Sequence, residues 1–129
     1  MRNNLKLVIF DLDGTLVDAY KAVASSLNYV LGQMNYPLVD DEIIKRTVGR
    51  GDRHLVGTFV PERDLDKALS IFRQHHSRAL KEGTSFLPGA RSLIEGLGAN
   101  GYKLAVASNR PTRFTHIILR HLKAIGHFD

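Results

Sequence analysis

Two aspartates separated by a single leucine, Asp11-Leu12-Asp13, are the residues of this chain best suited by type and spacing to do chemistry. They follow directly on Leu5-Lys6-Leu7-Val8-Ile9-Phe10, an apolar run rich in branched side chains and without period-two alternation. Such a run predicts a strand buried on both faces of a parallel sheet. The carboxylates then stand at the carboxyl end of that strand, the edge of an open α/β sheet where ligands collect. Placing them there forfeits hydration, which a purely structural role rarely justifies. Residues i and i+2 of an extended segment point the same way, so Asp11 and Asp13 share one cavity and Leu12 turns into the core. Two charges that close stay ionised only around a cation, or else one of them keeps a proton. Two compatible chemistries follow. The pair can hold a hard, oxygen-liganded cation, with Mg²⁺ the default. Alternatively, one carboxylate is a nucleophile and the other a general acid/base. Gly14 allows a sharp turn and close approach to a ligand, and Thr15 adds a hydroxyl beside the pair. The plainer explanation is an Asp-Gly turn that merely ends the strand.

A second candidate lies near the other end of the chain. Tyr102-Lys103-Leu104-Ala105-Val106-Ala107 predicts another buried strand, preceded by an Asn100-Gly101 turn and ending in Ser108-Asn109. Pro111 suits the first turn of a following helix, and a helix N-terminus favours anions. Alone, Ser108-Asn109 reads equally as a cap between strand and helix. Arg110 beside it is a candidate phosphate partner. Arg50, set between Gly49 and Gly51, is a candidate to touch a substrate; a surface arginine in a loop is the bland alternative.

The elements that must position these residues follow from periodicity. Tyr20, Val23, Ala24, Leu27, Val30, Leu31 and Met34 recur at threes and fours, an amphipathic helix broken at Tyr36-Pro37. Asp40 starts a short helix with Ile43, Ile44 and Val48 on its apolar side and acids in its first turn, which suits the dipole. Asp52 to Phe59 forms another, and Pro61 opens a longer one to about Lys81, with Leu65, Ala68, Leu69, Phe72, His76, Ala79 and Leu80 on one face. His75 and His76 point about 100° apart on that helix and cannot easily share one ion. His76 is expected to be partly packed and His75 exposed. Phe86-Leu87-Pro88-Gly89 then leads to helices over Ala90–Leu97, with Leu93, Ile94 and Leu97 inward, and Thr112–Lys123, with Phe114, Ile117, Ile118 and Leu122 inward.

Composition narrows the class. The 129 residues are 43% hydrophobic, enough for one modest core, and contain no cysteine, so neither disulfides nor a thiolate metal site is expected. The net charge is +5, of which +4 falls in residues 86–129. Those basic residues are scattered and have few aromatic neighbours, against nucleic-acid binding and in favour of mild attraction for an anionic substrate. No apolar run approaches a membrane span or a signal peptide. A soluble, cytoplasmic protein with no membrane partner is expected.

Val8-Ile9-Phe10-Asp11-Leu12-Asp13-Gly14-Thr15-Leu16-Val17-Asp18 resembles the first motif of the haloacid-dehalogenase-like hydrolase superfamily. It is most similar to the phosphatase branch around phosphoglycolate phosphatase and β-phosphoglucomutase. The strand ending in Ser108-Asn109 resembles the second motif of that family. The resemblance implies that Asp11 attacks phosphorus and forms an aspartyl-phosphate. It implies that Asp13 is the acid/base and that Mg²⁺ is bound at Asp11 and Asp13, through the Leu12–Asp13 main-chain carbonyl region. Thr15, Ser108 and Asn109 would hold the phosphoryl group of a small phosphorylated metabolite. The implied fold is a Rossmann-like α/β core, residues 1–18 and 86–129, with a helical cap of residues 19–85 inserted after the first strand. That cap opens to admit substrate and closes to exclude water. Hydrolysis of a phosphate monoester is the leading activity, with a sugar phosphomutase or an inert interaction module as alternatives. The pattern also requires a lysine and a later acidic pair. Lys123, expected in a last helical turn, and Asp129, which follows no apolar run, are in the wrong context for these roles. An amino-terminal portion of a longer enzyme is therefore expected, or completion of the core by another chain.

Overall fold

The structure, a computed structural model, describes residues 6–129, so Leu5 of the first apolar run lies outside it. β1 (Leu7–Phe10) is followed by β2 (Val17–Asp18), α1 (Tyr20–Gln33), α2 (Asp41–Thr47), α3 (Asp52–Phe59) and α4 (Glu62–Ala79). Then come β3 (Ser85–Phe86), α5 (Ala90–Ala99), β4 (Lys103–Val106), α6 (Thr112–His121) and a short 3₁₀ turn over Ile125–His127. β1 and β4 pair in parallel, in register from Leu7 opposite Lys103 to Phe10 opposite Val106. The fold is therefore α/β with a parallel sheet. Parallel neighbours need a long crossover, and the helices α1–α5 lie within it.

Two hydrophobic clusters divide the buried side chains. One joins Phe10, Leu12, Leu16 and Leu104 of the strand region to Ile94 of α5 and to Phe114 and Ile118 of α6. The other joins Val23, Leu27 and Leu31 of α1, Ile44 of α2, Val56 of α3, and Leu69 and Phe72 of α4. α1 packs along α4, the most extensive helix pair. The antiparallel pair β2–β3, Val17 opposite Phe86 and Asp18 opposite Ser85, joins the two chain segments that link these clusters. Two-residue strands leave no periodicity to read, and the sequence gives no sign of this pairing. No described helix is long and apolar enough to cross a membrane.

Several sequence expectations are corrected. β1 is not buried on both faces: Leu7 is 51% and Ile9 62% exposed, whereas Phe10 is buried. Val8 and Phe10 pack into the first cluster and the alternate side chains point out of it. An all-apolar strand records hydrophobicity, not how many faces are covered. The same ambiguity misled at Leu93 and Ile43, 49% and 44% exposed on helices whose buried stripes are narrower than their apolar content. Lys123 is not in a helical turn: α6 ends at His121, and Lys123 adopts a left-handed φ of 57°.

Gly83, on the return from α4 to β3, is a point where the backbone permits no side chain. A Cβ there would lie 2.8 Å from the main-chain nitrogen of Ala22. The obstacle is backbone, which cannot swing aside. Gly83→Ala should lower stability by about 1–3 kcal/mol, read as a fall in urea midpoint with unchanged slope; an unaltered midpoint would mean the linker moves freely off α1.

Candidate functional site

The site is built on a loop with one strongly committed carbonyl. Leu12 is wholly buried, and its main-chain oxygen accepts from the N–H groups of Thr15 (3.3 Å), Leu16 (2.9 Å) and Val17 (3.1 Å). The Gly14 N–H returns a bond to the Val17 carbonyl at 2.9 Å, with φ of 78° at Gly14, a conformation that favours glycine. This knot leaves Asp11 and Asp13 on either side of an anchored residue. Asp11 is exposed, and its Oδ1 accepts from the Leu12 N–H at 2.8 Å.

Asp13 is held differently. Arg110 grips both of its oxygens, Nε to Oδ2 at 2.7 Å and Nη2 to Oδ1 at 2.9 Å, the bidentate charged geometry that fixes a carboxylate in plane. The arginine is placed by the turn after β4: its own N–H donates to the Ser108 Oγ at 3.1 Å, and Pro111 caps α6 immediately after it. Its side chain is only 11% exposed. The remaining nitrogen, Nη1, lies 2.8 Å from Nε2 of His76 on α4. Thus one side chain touches both the acid of the first loop and the helical unit.

A cleft of about 110 Å³ collects Asp11, Asp13, Ser108, Asn109 and Arg110 from the two strand ends. Gly49, Gly51, Asp52, Phe72 and His76 line it from the helical side. Asn109 Nδ2 donates to the Gly49 carbonyl at 2.8 Å, a second tie between the two parts. A Cβ on Gly51 would come 3.3 Å from the Asn109 carbonyl, so the Gly49-Arg50-Gly51 turn presses its backbone to the strand end. Arg50 itself is exposed, and its two glycine neighbours, not Arg50, line the cleft. Thr15 is exposed in the loop, outside that lining.

Sequence reasoning missed Ser26, Asp52 and the depth of His76. His76 is 1% exposed rather than partly packed, between the rings of Phe72 at 4.7 Å and Phe114 at 5.2 Å. His75 is half-buried rather than exposed, stacked on Tyr29 at 4.3 Å. Ser26 bonds Nδ1 of both histidines at 2.9 Å. Its signal was available: a lone hydroxyl inside the buried stripe Ala22, Val23, Leu27, Val30 of α1. Asp52, at the start of α3, is paired with Arg73 through bonds of 2.8 and 2.9 Å, a long-range pairing that no local pattern reveals.

Burial, and then the neighbouring Arg110 charge, push the His76 imidazole down to about 3. Burial, and then Arg78, also lower His75. The described residues contain no group of three or more His, Cys, Asp or Glu side chains able to enclose a metal ion. The oxygen donors at the cleft nevertheless suit a hard cation in part: Asp11 keeps Oδ2 available beside an Oδ1 bonded to the Leu12 N–H, whereas Leu12's carbonyl and both Asp13 oxygens are engaged.

A profile of the haloacid dehalogenase-like hydrolase family matches residues 8–129. Phosphoglycolate phosphatase of Nitrosospira multiformis is 30% identical over 133 aligned residues, covering 97% of this chain and 59% of that protein. Phosphoglycolate phosphatase of Rhodospirillum rubrum is 34% identical over 117, covering 82% and 48%. The crystal structure of a predicted phosphoglycolate phosphatase from Haemophilus somnus superposes with a TM-score of 0.88 at 27% identity, covering 97% of this chain and 60% of that one. The chain thus spans some three-fifths or less of the length of these relatives.

The buried histidine makes stability depend on pH. In the unfolded chain His76 titrates near 6.5, in the fold near 3. Between those values the unfolded chain binds a proton that the folded one refuses. Stability is therefore full above pH 6.5 and declines as pH falls, by up to about 1.4 kcal/mol per pH unit. Urea midpoints measured from pH 7.5 to pH 5 should show this decline, and His76→Leu should flatten it; parallel curves for the two proteins would refute the assignment.

Proposed function

Because the chain belongs to the haloacid dehalogenase-like hydrolase family, we propose that it carries the nucleophile, acid/base and phosphate-binding turn of an enzyme that hydrolyses small phosphate monoesters. The observation that carries this reading is the convergence of Asp11, Asp13, Ser108 and Asn109 on one cleft from two adjacent strand ends. Asp11 is the exposed carboxylate and the nucleophile: an oxygen of its side chain bonds to phosphorus as the ester oxygen departs. Asp13 supplies a proton to that oxygen. It then takes one from the water that cleaves the aspartyl-phosphate, releasing inorganic phosphate and restoring Asp11. The Ser108 hydroxyl and the Asn109 amide orient the phosphoryl oxygens. The substrate is a small phosphorylated metabolite, for which phosphoglycolate, in the names of the relatives, is the first candidate.

Mg²⁺ is the cofactor of this reading. The Asp11 carboxylate and the Asp13 main-chain carbonyl would hold it. When bound, it would neutralise charge gathering on the phosphoryl oxygens. A second reading, a half-site with little turnover of its own, is favoured by a specific feature: among the described residues lining the cleft there is Arg110 but no lysine, and Arg110 is committed to Asp13. Without a free cation the transition state lacks electrostatic stabilisation.

Beryllofluoride with Mg²⁺, which mimics a phosphorylated aspartate, should raise the melting temperature of the wild-type protein and leave Asp11→Asn unmoved. Equal shifts in both would remove Asp11 from the role of nucleophile. In a phosphate-release assay Asp13→Asn should lower any turnover by about 10²–10⁴-fold. Robust Mg²⁺-dependent turnover by the 129-residue chain would overturn the half-site reading.

A further inference from the structure

Four side chains form an unbroken file behind Asp13: Arg110, His76, Ser26 and His75. The proton positions in this file follow from donor chemistry at its Arg110 end and from hydroxyl satisfaction at its His75 end. A guanidinium only donates, so Nε2 of His76 must accept from Arg110 Nη1. The His76 proton therefore sits on Nδ1 and is donated to Ser26 Oγ. Ser26 is wholly buried and His75 Nδ1 is the other partner of its hydroxyl, so satisfying the hydroxyl proton places it on Nδ1 of His75, whose own proton sits on Nε2. The reverse polarity would require His76 to accept at both nitrogens, which a neutral imidazole cannot do. The two adjacent histidines are thus neutral and in opposite tautomers.

The file also crosses a boundary. Asp13 and Arg110 belong to the strand-bearing part, while His76, His75 and Ser26 belong to the helices α4 and α1. Two nitrogens of Arg110 grip Asp13 and the third meets His76, so each nitrogen is committed. Phe72 and Phe114 pack their rings against the His76 imidazole.

We propose that His76 is a positioning residue: by accepting from Arg110 it fixes the guanidinium whose fork holds Asp13, so the seating of α4 governs whether that carboxylate is held or free. This rests on the reading of Asp13 as the acid/base. With α4 seated, both oxygens of Asp13 are engaged and the carboxylate waits in a resting arrangement. Displacement of α4 withdraws the acceptor from Nη1, loosens the fork and releases the Asp13 carboxylate from it. Ser26 contributes by locking the only His76 tautomer that can accept from an arginine.

The test is nitrogen NMR on the unliganded, ¹⁵N-labelled 129-residue protein, so its outcome is independent of phosphoryl transfer and of the Asp11 experiments. Wild type should show a slowly exchanging Arg110 Nε–H, an unprotonated Nε2 on His76 and an unprotonated Nδ1 on His75. Loss of a hydrogen bond to a charged group predicts that His76→Leu speeds exchange of the Arg110 Nε–H about tenfold or more. His76→Gln, which keeps an acceptor within reach of Nη1, should restore slow exchange. Ser26→Ala, a milder change, should release the His75 tautomer while circular dichroism stays native. Unchanged Arg110 exchange in a folded His76→Leu protein would overturn the proposal, and so would a proton on Nε2 of His76 in wild type. Should His76→Leu fail to fold, the Ser26→Ala and wild-type tautomers decide.

Discussion

The arrangement of the site depends on the commitment of one backbone oxygen. The Leu12 carbonyl takes three N–H donors while its side chain fills the strand-side core. A buried polar group so fully satisfied is expensive to disturb. The loop from Asp11 to Val17 is therefore rigid where it could have been a floppy turn. From it the chain enters β2 already aimed at its pairing with β3, which sets where the helices leave and return. The carboxylates on either side of Leu12 inherit that rigidity.

The second organising feature is the contact between the two parts, where Phe114 packs on His76 and Ala22 of α1 and Ala79 of α4 join the strand-side cluster. Each has its own apolar cluster, and the polar links described across the cleft are few: Arg110 to His76, and Asn109 to the Gly49 carbonyl. Hydrogen bonds of this kind contribute modestly to stability, far less than the burial within either cluster. Such an interface can shift without unfolding its parts. Arg110 is the residue most burdened by this design, serving the acid on one side and the helices on the other.

How much was legible beforehand varies with the range of the interaction. The helices of residues 20–79 were readable because their periodicity is long and their stops are marked by Pro37, Gly51 and Pro61. The two core strands were readable as apolar runs, but their exposure was not, since Leu7 and Ile9 look the same in sequence whether or not something covers them. The β2–β3 pairing was too short to register. At the site, Asp11, Asp13, Ser108 and Asn109 were visible from local spacing and from resemblance. His76 was visible only as an apolar-face histidine, and Ser26 was passed over inside its stripe.

By itself, then, the sequence determined the chemistry on offer: two carboxylates one residue apart at a strand end, a hydroxyl and an amide at another, and the family to which that pattern belongs. Those are local facts, carried by alternation, turn residues and composition. Tertiary structure alone decided that Arg110 closes on Asp13 across 97 positions of chain, that His76 meets its third nitrogen, and that one hydroxyl sets two histidine tautomers in opposition. Such pairings are chosen by which side chains are buried together and must satisfy one another there. No pattern of neighbours along the chain encodes that.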